Sequence, residues 1–383
     1  MSTIPPQPPM QGPYTPGAFP PAGEPRNGMA VAALVLGIVG LVLCPIGPVL
    51  GLIALVLGIV ALVRANNLPE PVSRRGMAIA GICLGGTGVL VGGMLLILVP
   101  ILLPSLARAW EITKRAVCAA NQRGIGQGCK IYANDNQDWF PIAPHLEVQK
   151  DDPGTMKVRF IGQMGANMTK PTTSKDDAVH PSRSLFMLVT DGTCTAKQFM
   201  CPSSSDGEDD LRNTIGGTVT AAQPGANRFD FKGYPYLSYG YQLPFGRYGR
   251  PDERLDVRVA LLADKGPYFQ AGTPRSDGSV PDQSVGTPGS AVTIAGATTD
   301  VQLLQLNPDR WRPYNSRNHG TEGQNVLFVD GHVEWVNKPI VGVNYDNIYT
   351  VQGPGYTLRD SLLGRTPADK MGPFTDTDSV IVP

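Results

Sequence analysis

The stretch Val99-Pro-Ile-Leu-Leu-Pro-Ser-Leu-Ala-Arg-Ala-Trp-Glu-Ile-Thr-Lys-Arg115 decides how this chain is organised. It leads from an apolar segment into a charged one without a strong turn signal. Pro100 and Pro104 each remove a backbone donor and predict kinks. The next cluster of helix-stopping residues is Asn134-Asp135-Asn136. One helix is therefore expected to begin in an apolar environment and end in a polar domain. Along it, Leu106, Trp110, Val117, Ala120, Gly124, Gly128 and Ile131 recur at steps of three, four and seven, which predicts a single packing face.

Upstream, no charged residue occurs from Gly76 to Ala107 or from Met29 to Val63. The segment from Met77 to about Leu103 is long enough to cross a hydrocarbon core of about 30 Å at about 1.5 Å per residue. Residues 29–63 are too long for one crossing, and Cys44-Pro45-Ile46-Gly47-Pro48 breaks them at the centre. A helical hairpin, either two short crossings or a partly re-entrant pair, is the expectation. Ala33-Leu-Val-Leu-Gly-Ile-Val39 recurs as Ala54-Leu-Val-Leu-Gly-Ile-Val60, and Gly28-Met-Ala-Val-Ala32 as Gly76-Met-Ala-Ile-Ala80. Recurrent glycines (Gly37, Gly40, Gly51, Gly58, Gly85, Gly86, Gly92) allow close helix approach. Only the cysteines are ionisable within these segments, so an anchor fits better than a transporter.

Arg64, Arg74 and Arg75 flank the loop between the second and third segments and place it in the cytoplasm. That orientation puts the nine-proline stretch 1–28 in the cytoplasm as a disordered tail, and the C-terminal domain outside, at an inner membrane. The organisation read from the sequence is thus a tail (1–28), a membrane domain (29–104, with a hairpin at 29–63 and a third helix at 77–104) and an extracytoplasmic domain (105–383). The last comprises a helix at 105–134 and a sheet domain at 135–383. The fold class is α+β, a long helix packed on an antiparallel sheet with long loops.

Within the sheet domain, Gln324-Asn-Val-Leu-Phe-Val-Asp-Gly-His-Val-Glu-Trp-Val336 reads as a hairpin, with Asp330-Gly331 in a tight type I′ turn. Tyr236–Gln242 and Arg258–Asp264 read as further strands. Asp206–Asn227 and Gly272–Thr299 read as surface loops or disordered insertions.

The formal net charge is zero and no long basic run occurs, so nucleic acid is not an expected partner; membrane lipid is. No nucleophile elbow, phosphate loop or His-Glu-x-x-His motif is present. Asp135, Asp138, Glu208 and Asp209 read as solvated loop residues, and no catalytic residue or cofactor is expected. Asp330 and Gly331 have a sufficient reason to exist in the turn. A sharper alternative has His319, Asp330 and His332 converging on zinc. No Cys-x-x-Cys pair is present, which argues against a cysteine-based structural zinc site. For the outer cysteines, three arrangements stay open: a Cys118–Cys201 disulfide, a Cys194–Cys201 disulfide, or free thiols. The first would close a long loop, worth about 4 kcal/mol in the chain-entropy account.

Arg115-Ala-Val-Cys-Ala-Ala-Asn-Gln-Arg-Gly-Ile-Gly-Gln127, Ile131-Tyr-Ala-Asn-Asp-Asn136, Trp139-Phe-Pro141 and Phe199-Met-Cys-Pro-Ser203 together resemble the pseudopilin-like proteins of planctomycete bacteria. Those proteins carry a C-terminal His-x9-Asp-Gly motif, which His319 and Asp330-Gly331 approach with ten residues between them. Residues 28–104 resemble a separate small bacterial membrane domain of unknown function. The resemblance implies a non-enzymatic, membrane-anchored structural or assembly protein whose partners are other pseudopilins or components of a type II secretion or pilus-like system. Some pseudopilins hold calcium in a C-terminal loop, and Asp346 and Asp360 are the weak counterparts here. The prepilin cleavage site is absent, since Gly92-Gly-Met-Leu-Leu-Ile-Leu98 has neither the Phe nor the Glu it requires, so no processing by prepilin peptidase is expected. The alternative reading is an extracytoplasmic ligand-binding or sensory module on a membrane stalk.

Overall fold

A computed structural model describes residues 28–42, 46–66, 73–146, 164–165, 168–175, 179–215, 217–285, 299–367 and 371–383. The proline-rich tail, the Cys44-Pro45 break and residues 286–298 of the second predicted insertion lie outside them. The chain divides into two compact units at Ala107/Arg108.

The first unit holds α1 (Gly28–Val42), α2 (Gly47–Asn66) and the N-terminal part of α3 (Ser73–Asp135). Small residues set its packing. A Cβ at Gly51 would stand 2.8 Å from the Gly85 carbonyl, and one at Gly85 would stand 2.8 Å from that of Gly51. Neither position accepts a side chain without parting the helices. The outer surfaces are apolar: Val56, Leu90 and Ile97 are exposed. By length and composition α2 and α3 suffice to cross a membrane, while α1 is a shorter apolar helix. These features are compatible with membrane association.

The second unit is α+β. A five-stranded sheet runs in the order β8-β7-β4-β3-β9, every neighbour antiparallel, where β3 is Tyr239–Gln242, β4 Ala260–Asp264, β7 Gln324–Phe328, β8 Val333–Val336 and β9 Ile381–Val382. Two small hairpins stand apart from it: β1 (Arg212–Ile215) with β2 (Thr218–Ala221), and β5 (Phe269–Ala271) with β6 (Asp282–Ser284). The first hairpin and β6 fall in segments that the sequence reads as loops, and β5 ends just before the second of them. Their strands are short and rich in Thr, Gln and Asp, so they carry no alternating apolar signal.

Both faces of the central strands are buried. Tyr239, Tyr241, Leu262 and Leu327 join a core with Ile125, Cys129 and Ala133 of α3 and with Leu185 and Phe186 of α4 (Ser182–Thr190). Ala263, Val326, Phe328 and Ile381 join a second core on the opposite face with Ile348, Tyr349 and Val380. A register shift between Ala260 and Leu262 interrupts the alternation, so Leu261 and Leu262 both serve the α3 side. Alternation then resumes through Ala263 and delivers Asp264, the last residue of β4, to the α3 face.

The packing face of α3 differs from the one its sequence predicts. Val117 and Ile131 are exposed, whereas Cys118, Gln122, Ile125, Gly126, Cys129 and Ala133 are buried. Polarity explains the difference. Gln122 Nε2 donates to the Asn325 carbonyl (3.3 Å) and Asn325 Nδ2 donates to the Arg115 carbonyl (3.2 Å), so amide pairs dock the helix where an apolar pattern was sought. Gly126 lies directly over β7: a Cβ there would stand 2.9 Å from both δ-carbons of Leu327.

The β7–β8 connection is also not a two-residue type I′ turn. Gly331 N–H bonds to Phe328 O (2.9 Å), Phe328 N–H bonds to His332 O (3.0 Å), and of Asp330 and Gly331 only the glycine has positive φ (96°). This is the three-residue loop in which a turn is followed by a left-handed glycine at a bulge.

Candidate metal centre

Four side chains from four separate places in the second unit converge on one buried point. Cys118 comes from α3, and Cys201 from the turn after the 3-10 helix Ala196–Phe199. Asp264 ends β4, and His319 lies in the loop before β7. One potential ligand atom from each lies within 4.8 Å of all the others. Cys118 Sγ is 3.1 Å from Asp264 Oδ1, Cys201 Sγ is 3.4 Å from His319 Nε2, and His319 Nε2 is 3.5 Å from Asp264 Oδ2. All four residues are buried.

Local structure fixes each ligand. The Met200 carbonyl accepts from Asn121 Nδ2 (2.9 Å) and Tyr239 OH (3.2 Å), which pins the Cys201 turn against α3 and β3. Asp264 Oδ2 takes the Asn325 backbone N–H (2.7 Å) and Oδ1 takes Asn318 Nδ2 (3.2 Å). Asn318 Nδ2 also reaches the Ser238 carbonyl (2.7 Å), so the residue before His319 is tied to the sheet. His319 Nδ1 faces Glu111 Oε1 (2.8 Å), and that carboxylate also accepts from Ser203 Oγ (2.8 Å). The His319 ring packs edge-on against Trp335 at 5.1 Å between centroids, and the Arg115 guanidinium lies over the same indole at 4.0 Å.

The electrostatics follow from burial among partners. Burial alone would lower the His319 pKa, but contacts with Cys201, Asp264 and Glu111 outweigh it and raise it to about 9. The hydrogen bond from Cys118, joined by His319 and opposed by burial, brings the Cys201 thiol down to about 7. Burial raises Asp264 against the pull of His319 and its hydrogen-bond donors. The pocket therefore holds a thiol that ionises readily beside a basic imidazole and a carboxylate, a donor set suited to a divalent transition metal.

Of the three arrangements the sequence leaves open, the structure holds the free thiols: Cys118 and Cys201 lie in one cluster, and no disulfide joins them. Cys194 is free as well and lies instead beside Gly128 and Cys129. The alternative grouping of His319 with Asp330 and His332 is not formed. Asp330 and His332 stay in the exposed β7–β8 turn, where His332 Nδ1 meets Asp330 Oδ1 at 2.5 Å and the His332 ring stacks on Phe328. Asp330 works there as a turn residue, accepting the His332 N–H at 3.0 Å.

Asp346 and Asp360 do not share a site. Asp346 accepts the Ser379 N–H in the core (2.8 Å), and Asp360 caps the helix Leu358–Leu363 with Thr357. Asp209 is not a solvated loop residue. Its side chain is fully buried, with Oδ2 2.7 Å from Arg228 Nη2 and accepting the Lys232 N–H at 2.7 Å. Asp264 and Glu111 went unnoticed in the sequence. The one available hint was a carboxylate closing the apolar strand Ala260-Leu-Leu-Ala263, where a charge is costly unless it has a task.

Residues 29–96 match the family model for a domain of unknown function, DUF4190. That match covers the helical first unit and fits the resemblance drawn from the Gly-Met-Ala repeats. No curated protein and no solved structure matches the chain.

Proposed function

We propose that this chain is a membrane-anchored, pseudopilin-like structural or assembly protein whose outer domain acts by packing against partner chains. The observation that carries the reading is α3 itself. Its single run from Ser73 to Asp135 contains the charge-free segment ending at Ala107, and its C-terminal turns pack on an antiparallel sheet through Ile125, Cys129 and Ala133. A helix that is apolar at one end and sheet-bound at the other is the pilin plan, here without the sequence that prepilin peptidase requires. Between these two parts, Leu106, Trp110 and Ile112 are exposed, leaving apolar side chains free to meet lipid or a neighbouring helix. Partners in a type II secretion or pilus-like system, at the inner membrane, are the assembly this reading expects.

A photoreactive residue at position 110 tests it in native membranes. The proposal expects crosslinks to the long helices of other pseudopilin-like chains. Crosslinks to lipid alone, together with saturable small-molecule binding by the purified chain, would favour the stalked sensory module instead.

A further inference from the structure

We propose that Cys118, Cys201, Asp264 and His319 form a closed, four-coordinate zinc site that clamps α3 to the sheet. The inference uses only the second unit and stands whether or not the assembly reading holds.

Three observations carry it. The first is geometry. Zinc–sulfur bonds of about 2.3 Å and zinc–nitrogen bonds of about 2.0 Å define a tetrahedron with edges of about 3.3–3.8 Å. The contacts at 3.1, 3.4 and 3.5 Å already lie near those edges, and every pair is within 4.8 Å, so small rotations of side chains would close the shell. The second is ligand type. Two cysteines, one histidine and one carboxylate form a borderline-soft set that selects zinc over magnesium or calcium. With four protein ligands no position remains for substrate, so the role is structural. The third is the surrounding shell. A zinc-bound imidazole normally donates its other ring N–H to a carboxylate, which fixes its tautomer. His319 presents Nε2 to the cluster and Nδ1 to Glu111, itself held by Ser203. Asp264 is oriented in the same way by the Asn325 N–H and Asn318 Nδ2.

An entry path is present. Cys201 backs an open cavity of about 480 Å³, lined also by Asn121, Met200, Ser204 and Asp206. No local spacing announces such a site, because its ligands come from a helix, a turn, a strand end and a loop.

The test uses the full chain, purified in detergent without chelators, with metal content and free thiols measured together. The proposal expects one zinc per chain and a large loss in both Cys201→Ser and His319→Ala, while His332→Ala in the exposed turn keeps its metal. Glu111→Gln leaves all four ligands in place, so it should still bind but lose about 10–100-fold in affinity in a chelator competition. Cobalt loaded into the wild-type chain should give the intense visible bands of a tetrahedral thiolate site, which covers the case in which a ligand variant fails to fold. Absence of stoichiometric zinc or cobalt after reconstitution would overturn the proposal. So would a Cys118–Cys201 disulfide in peptide mapping, or unchanged metal content in a correctly folded Cys201→Ser chain.

Discussion

Replacing Gly126 by valine probes the contact on which the α3–sheet packing rests. A Cβ at this position would stand 2.9 Å from both δ-carbons of Leu327, and Leu327 is fully buried within the shared core. Leu327 can yield only by moving both methyls, and because it is fully buried that movement displaces the core around it. Removing a helical glycine gains part of about 1 kcal/mol in propensity, less for β-branched valine than for alanine. Forcing three carbons into a filled core costs about 1–3 kcal/mol, and this site, with no slack, belongs at the upper end. The net expectation is destabilisation by about 2 kcal/mol. In a domain of this size that lowers Tm by roughly 4–8 °C. Urea unfolding of the detergent-solubilised chain, followed through tryptophan fluorescence, reads it, since Trp311 is buried. Gly124→Ala is the matched control: its Cβ would meet only the flexible end of Gln198, so it should be neutral or slightly stabilising. A Gly126→Val chain as stable as wild type would refute the packing of α3 on β7.

Two further outcomes follow from the buried charges. Arg228 is fully buried, paired with Asp209 and bonded to the carbonyls of Arg212 and Asp230 and to Asn213, so Arg228→Met should cost about 3–5 kcal/mol by stranding the Asp209 carboxylate; a shift in urea midpoint equivalent to under about 1 kcal/mol would contradict this. Burial pushes Asp378 up to about 7 and, together with the Asp378 charge, Asp346 well above the ordinary carboxylate range. The folded state thus holds these protons more tightly than the unfolded chain, whose aspartates titrate near about 3.9. The Asp378 contribution is complete below about pH 4 and is lost as pH rises through about 7, and that of Asp346 is lost in the same direction. Asp346→Asn should flatten that decline, and parallel stability–pH curves for variant and wild type would count against the shift.

The fold was legible wherever residue type and environment agree. The charge-free runs, the strand around Val326-Leu-Phe328 and the run Ala260-Leu-Leu-Ala263 announce themselves by apolar content. The packing face of α3 did not, because hydrogen bonding rather than hydrophobicity selects part of it: Gln122 is buried for its amide, while Val117 and Ile131 stay exposed. The bulge at Ala260/Leu262 is set by pairing with β7 and leaves no mark in the residue pattern, yet it determines that Asp264 faces Cys118. Two members of the cluster could be paired as cysteines of one domain. The alternative that grouped His319 with Asp330 and His332 drew on their nearness in sequence, whereas the contacts of His319 are with Glu111, Cys201 and Asp264, far away along the chain.

The account depends on the folded domain of residues 108–383 standing outside the cytoplasm at the end of a helical anchor. A phosphatase reporter, active only after export, fused behind Pro383 measures this directly in cells. The account predicts an active phosphatase and an inactive cytoplasmic reporter at the same position; the reverse pair of results would contradict it.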